Sequence, residues 1–266
     1  MLHILTFRKK INKQNNGFTI VEMLIIAPIV ILVIGTFIYT VVKLTGDVMA
    51  TRAANTLAYD IQDALNRIEQ DLTLSKEFLS TNNITITSPQ GSNNVTAPFT
   101  ISPNPTLILN TYTTKNNPMD SSRTLIYTKT PNACGTSLET RNEPLMSNTV
   151  YFTTTNISTN VTTLWRRVIM PANYNTIGCS TPWQQPSCQT AAPTYPICKA
   201  MDIKLLNDIS TFSIAYYKKD QLTPAGTPAE AETAKVTITV GTTSAGRDIS
   251  QTGTVRATKL NSSTSP

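Results

Sequence analysis

Histidine is nearly absent from this sequence. Among 266 residues there is one, His3, ahead of every segment with a folded pattern. Its absence elsewhere excludes a Ser-His-Asp triad, a Cys-His pair and a His-ligated zinc from the folded part. Glycine is sparse too: the ten glycines are scattered and form no phosphate-cradling loop. Charged residues make up 14%, against about 25% in an average soluble domain. Thr, Asn and Ser carry the polarity instead, above all after residue 80. The commonest catalytic routes are therefore closed, and neither enzyme activity, nor a cofactor, nor a metal site is expected. The balance suits a surface or extracytoplasmic protein, or a subunit that packs against copies of itself.

The net charge of +6 is unevenly spread. Residues 1–17 carry Arg8, Lys9, Lys10 and Lys13 and no acid. Residues 18–46 are neutral, 47–79 sum to −3 and 80–266 to +5. The high isoelectric point is mainly a property of the N-terminus. It is not by itself the mark of a nucleic-acid binder.

What the sequence has in quantity is one apolar run. Residues 23–42 are 20 consecutive uncharged residues between Glu22 and Lys43. At about 1.5 Å per residue a helix of this length spans about 30 Å, the thickness of a bilayer core. The basic segment ahead of it should stay cytoplasmic, which places the chain after Lys43 outside. A cleaved signal peptide fits less well, because its apolar region has about 7–15 residues and ends in an A-x-A-like site. An unassembled ectodomain on a single-pass signal anchor fits the length and the charge. It leaves Glu22 unexplained: a carboxylate at the edge of lipid is costly and marks a functional site by default.

Glu22 belongs to the segment Gly17-Phe18-Thr19-Ile20-Val21-Glu22, directly after the basic leader. This segment resembles the type IV prepilin cleavage and methylation motif. The resemblance implies that a membrane prepilin peptidase cuts between Gly17 and Phe18 and that Phe18 becomes the N-methylated terminus. It also implies that Glu22 pairs with the terminal amine of a neighbouring subunit during assembly. Before cleavage Glu22 has no evident partner; afterwards a charge-assisted contact can offset part of its desolvation. Pro28 departs from the family pattern, in which a helix-breaking Pro more often stands past the middle of the span. It withholds a donor from the Leu24 carbonyl and is expected to kink the helix or to be tolerated without consequence.

The helical pattern continues past Lys43. Leu57, Ile61, Leu65, Ile68 and Leu72 recur at steps of three and four, with Ala64 on the same face. Asp60, Asp63, Arg67, Glu69 and Asp71 are assigned to the other face, with Asp63–Arg67 and Arg67–Asp71 as i,i+4 pairs. One helix is expected from about residue 18 to 78, its stripe packed on the protein's own head. After Asn82 short Thr-, Ile-, Val- and Tyr-rich runs predict strands at 83–88, 106–112, 123–130, 149–155, 161–170, 209–217 and 234–240. Pro-rich loops fall at 171–196 and 224–228. The expected fold class is α+β: a long N-terminal helix, half transmembrane and half amphipathic, packed on an antiparallel sheet. The expected parts are a leader at 1–17, a transmembrane assembly helix at 18–46, an amphipathic helix at 47–80 and a β-rich head at 81–266. The Tyr-bearing run at 209–217 and the alternation Val236-x-Ile238-x-Val240 are also similar to J-type minor pseudopilins of type II secretion. That resemblance is strong over 18–80, weak over 202–260 and absent between.

Four cysteines, Cys134, Cys179, Cys188 and Cys198, all fall in the expected outward domain. Their gaps are too wide for a C-x-x-C zinc site, and their number and compartment favour two disulfides. Of three connectivities, Cys179–Cys188 with Cys134–Cys198 is taken as the working guess. Trp165-Arg166-Arg167 and Tyr216-Tyr217-Lys218-Lys219 place aromatics beside bases. They read first as strands with one buried face, and second as a DNA contact.

The expected function is structural: a minor pilin or pseudopilin, processed by prepilin peptidase and built into a type IV pilus or type II secretion-like pseudopilus, or its tip. Its expected partners are other such subunits, an inner-membrane assembly platform with its ATPase, and the membrane. The alternatives are a DNA- or surface-binding tip subunit and the unassembled anchored ectodomain.

Overall fold

A computed structural model of the chain describes residues 19–86, 98–135, 142–189 and 197–259. The chain divides into two compact units, Met1–Met49 and Ala50–Pro266. Helix α1, Ile20–Thr73, contributes its first part to one and its second part to the other.

In the first unit the side chains from Ile20 to Leu44 are exposed, including Leu24, Ile31, Phe37 and Val42. By length and composition this is a helix that can cross a membrane. Three of its threonine hydroxyls are satisfied locally. Thr36 Oγ1 donates to the Val33 carbonyl at 2.9 Å, Thr40 Oγ1 to Thr36 at 2.8 Å and Thr45 Oγ1 to Val41 at 2.8 Å. A hydroxyl that returns to its own helix presents no unpaired donor to hydrocarbon. The helix runs on through Pro28.

The second unit is built on the rest of α1. Ile61, Ala64, Leu65, Ile68 and Leu72 are all buried, at the steps of three and four read from the sequence. The helix stops earlier than expected. Thr73 Oγ1 donates to the Gln70 carbonyl at 2.9 Å and Ser75 Oγ to the Leu72 carbonyl at 2.6 Å. The Ser75 hydroxyl takes the carbonyl that the next helical turn would have used, while the Gln70 carbonyl still accepts the Leu74 N–H at 3.2 Å. The chain then turns at Leu74 into strand β1, Ser75–Leu79, so the end of the expected 47–80 helix is strand.

Strands β2 (Leu107–Tyr112), β3 (Met146–Asn156), β4 (Val161–Ile169) and β7 (Ile203–Leu206) complete a five-stranded antiparallel sheet in the order β1-β2-β3-β4-β7. Strands β8 (Ile209–Tyr217), β9 (Thr233–Ser244) and β10 (Arg247–Thr258) form a three-stranded antiparallel sheet with β9 central. A short helix α2 (Tyr174–Ile177) and strand β5 (Ser187–Cys188) lie in the expected 171–196 loop, and β5 pairs in parallel with β6 (Ala200–Met201) just beyond it. The run at 123–130 forms only isolated bridges, at Leu125, Tyr127 and Thr128, and the described part of 83–88 is not strand. The architecture is the expected α+β arrangement of a helix on antiparallel sheet.

One core unites the helix stripe with both sheets. It joins Ile61, Leu65, Ile68 and Leu72 to Phe78, Leu107, Leu109, Tyr151 and Leu164, and to Phe212, Val236, Ile238 and Val240. Because side chains alternate along a strand, Ile108, Val150, Phe152 and Ile169 face the other way. They form a second core with Ile86 and Phe99. On the three-stranded sheet the face away from the helix is hydroxylic. Thr237 pairs with Thr254 at 3.2 Å and Thr239 with Thr252 at 3.0 Å. The hairpin between β9 and β10 turns through Ala245 and Gly246, both at positive φ (51° and 73°), the geometry that matches strand twist.

Candidate functional site

The residues that the motif singles out stand at the start of α1. Gly17 and Phe18, the expected cleavage and methylation positions, lie outside the described residues. Thr19 is the first described residue and caps the helix. Its carbonyl accepts the first intrahelical bond, from the Met23 N–H at 3.1 Å. Glu22 is the third helical residue. Its Oε2 accepts the Thr19 backbone N–H at 2.9 Å and the Thr19 hydroxyl at 2.9 Å. The Glu22 N–H donates to Thr19 Oγ1 at 3.3 Å. This is a reciprocal capping box, Thr-x-x-Glu, in which each side chain satisfies the other residue's backbone donor.

The expectation that Glu22 lacks a partner before cleavage is therefore wrong. The carboxylate serves its own helix, and its negative charge sits in the first turn, where the macrodipole favours it. The signal was in the sequence: Thr19 three residues ahead of Glu22 is the capping pattern. The group still has spare capacity, because Oε1 and the remaining lone pairs of Oε2 can accept further donors.

The four cysteines form two disulfides, with a different pairing from the guess. Cys134 bonds Cys179 and Cys188 bonds Cys198, with Cα separations of 5.5 and 5.6 Å. Thr128 bridges Gly178, and the Cys179 N–H donates to the Tyr127 carbonyl at 2.8 Å. Those contacts bring Cys179 to the 123–135 segment. Cys188 and Cys198 close a loop of sequence separation 10 that joins the end of β5 to the chain just ahead of β6.

The Trp165-Arg166-Arg167 run is strand, as its first reading has it, but with both faces covered rather than one. Arg166 faces the helix, where its Nε and Nη2 grip the Asp71 carboxylate at 2.6 and 3.1 Å. Tyr151 donates its hydroxyl to the same Asp71 Oδ2. Arg167 points to the opposite face and is buried. It holds Asp202 through Nε at 3.1 Å and stacks over Phe99 and Phe152 at 5.6 and 5.1 Å. Ser187 Oγ donates to Asp202 at 3.0 Å and accepts the Val168 N–H at 2.9 Å. Both guanidinium groups are committed inside the head. In the second aromatic-basic run Tyr216 is half-buried, Tyr217 lies under Arg256 at 4.2 Å, and Lys218 and Lys219 are exposed.

Asp71 corrects the helix reading as well. Three residues after Ile68 and seven after Ala64, it belongs on the apolar stripe rather than the polar face. It is buried there against Arg166, so the expected pair with Arg67 does not form. No protein-family model matches the chain, and no curated protein matches it.

Proposed function

We propose that this chain is a minor pilin or pseudopilin: a structural subunit freed of its leader between Gly17 and Phe18 and assembled into a filament or its tip. The observation that carries this reading is Glu22. A carboxylate stands in the first turn of α1, and the 20 residues after it, 23–42, are uncharged, exposed and long enough to span a membrane. Behind it comes a disulfide-bonded α+β head suited to an extracytoplasmic compartment. In this reading the leader is cytoplasmic, the helix crosses the inner membrane once and the head lies outside. Prepilin peptidase, an assembly platform and other subunits are the partners.

The capping box gives the carboxylate two roles in sequence. In the membrane-held monomer Glu22 folds back on Thr19, so its charge is partly satisfied while the subunit waits. In the filament it accepts, in addition, the Phe18 amine of a neighbour. The helix cap need not be broken, since a carboxylate can accept about four hydrogen bonds.

Glu22→Gln separates the roles, because Gln also completes a capping box but carries no charge. The variant should insert, be cleaved at Gly17 and carry N-methyl-Phe18 by intact mass. It should be missing from sheared filaments, since breaking a buried ion pair costs about 3–5 kcal/mol. Wild-type incorporation of the variant, or a mature start at Met1 or beyond Lys43, would overturn the reading.

A further inference from the structure

Most large apolar side chains of the head are buried. Among the described residues of 50–259, those left exposed are Tyr59, Met119, Ile157, Trp183, Met201 and Leu222. Three of these, Met119, Trp183 and Met201, line one cleft of about 410 Å³ between the end of α1, β4 and the β5–β6 segment. They are 51%, 51% and 58% exposed. Scattered exposed hydrophobics need no explanation, but their convergence on one concavity does.

The cleft is held in shape. The Trp183 N–H donates to the Thr114 carbonyl at 2.8 Å. The next residue, Gln184, is buried and clamps the same strand end. Its Oε1 accepts the Thr114 N–H at 2.9 Å, and its Nε2 reaches Thr114 Oγ1 at 3.2 Å and the Tyr112 carbonyl at 3.3 Å. Met201 lies in β6, three residues past Cys198, and pairs there with Cys188 of β5, so the Cys188–Cys198 bridge anchors both strands of the pair. An exposed indole on such a frame loses little freedom when something stacks on it.

The rim carries one sign of charge. Asp71 and Arg166, at the cleft wall, neutralise each other. Arg67, one helical turn before Asp71, is exposed, and its guanidinium has no hydrogen-bond or ion-pair partner among the described residues. Gln70 beside it adds an amide on the same rim. The site is thus an apolar, sulfur- and indole-lined slot with a cation and an amide at one edge.

We propose that this cleft binds a peptide segment in which a bulky apolar residue stands next to an acidic one. The apolar side chain would lie among Trp183, Met119 and Met201, and the carboxylate would meet Arg67. Charge complementarity sets the acidic residue. Methionine, flexible and polarisable, fits a protein side chain of variable shape, and the Gln70 amide can pair with a peptide main chain. This activity is separate from filament assembly, so failure of the Glu22→Gln test leaves it standing.

The test is calorimetric titration of the full chain in lipid nanodiscs with acetyl-Gly-Phe-Glu-Gly-amide, its Phe-Gln twin and its Ala-Glu twin. The Phe-Glu peptide should bind saturably. The Phe-Gln peptide should bind about two- to fivefold more weakly, the worth of an exposed ion pair, and the Ala-Glu peptide should not saturate. Trp183→Ala should weaken both Phe peptides at least about tenfold, as loss of a central aromatic anchor does. Arg67→Gln should erase only the difference between Phe-Glu and Phe-Gln. Both residues are exposed, so unfolding temperatures should match wild type. No saturable binding by any peptide, or Phe-Glu binding unchanged in both variants, would overturn the proposal.

Discussion

Gly253, in the middle of β10, lies directly under Ile61 of α1. A Cβ placed on Gly253 would come within 2.3 Å of Ile61 Cγ2 and 2.6 Å of Leu65 Cδ1. The helix and the outer strand of the three-stranded sheet approach so closely that only a residue without a side chain fits between them. The contact sets how deeply the helix stripe beds on that sheet.

Gly253→Ala should therefore destabilise the head through overpacking, by about 1–3 kcal/mol, with a lower midpoint in thermal unfolding followed by circular dichroism. Gly241 on the neighbouring strand provides the control. There a Cβ would meet nothing nearer than the Ile249 carbonyl oxygen at 3.8 Å, so Gly241→Ala should be close to neutral. Equal effects at the two positions would show that the helix does not bed on Gly253.

The Asp71–Arg166 pair is the second joint between helix and sheet, with side-chain exposures of 13% and 14%. Arg166→Met strands a mostly buried carboxylate with only the Tyr151 hydroxyl against it. The expected loss is about 3–5 kcal/mol, while Asp71→Leu combined with Arg166→Met should cost much less. Denaturant midpoints of the singles and the double decide this. Additive losses would mean that the pair is not coupled.

Two tyrosines should respond oppositely to loss of their hydroxyls. Tyr151 donates to Asp71, whereas the Tyr216 hydroxyl is buried without a partner among the described residues. Tyr151→Phe should destabilise by about 1–3 kcal/mol, and Tyr216→Phe should be neutral or stabilising, since it removes an unsatisfied donor. The Phe78 ring, 5.8 Å from that of Tyr216, remains in contact with the phenylalanine.

The same two groups govern alkaline stability. Burial pushes the Tyr151 phenol well above the usual tyrosine range, and the charge of Asp71 adds to it while Arg166 opposes. Burial also raises Tyr216. A folded-state pKa above the unfolded one contributes stability that is complete below about pH 10, the ordinary tyrosine value. That stability is lost as pH climbs beyond it toward the folded values. The alkaline absorbance change that disappears in Tyr151→Phe and Tyr216→Phe should appear in the wild type only when the head unfolds.

Non-reducing peptide mapping should recover Cys134–Cys179 and Cys188–Cys198. With sequence separations of 45 and 10, loop closure is worth about 4 and about 3 kcal/mol respectively. Opening the Cys134–Cys179 bridge should accordingly lower the unfolding midpoint more than opening Cys188–Cys198. The reverse order would mean that the shorter bridge carries more of the head's stability.

Local periodicity made much of this protein legible in one dimension. The apolar run, the stripe of α1 and the alternation of Val236, Ile238 and Val240 depend on residues within a turn or a strand of one another, and all appear in the structure. The capping pair Thr19 and Glu22 was equally local, and was visible as Thr-x-x-Glu. Distant partners decided the rest. The helix ends at Thr73 because Ser75–Leu79 finds a strand at Leu107–Tyr112 to pair with. Asp71 turns inward because Arg166, 95 residues away, waits on the facing sheet. Cys179 bonds Cys134 because a bridge between Thr128 and Gly178 has already brought their segments together. A sequence fixes the period of each element through sterics and hydrophobicity that act over a few residues. Which elements meet depends on burying all their faces at once, and only the folded chain settles that.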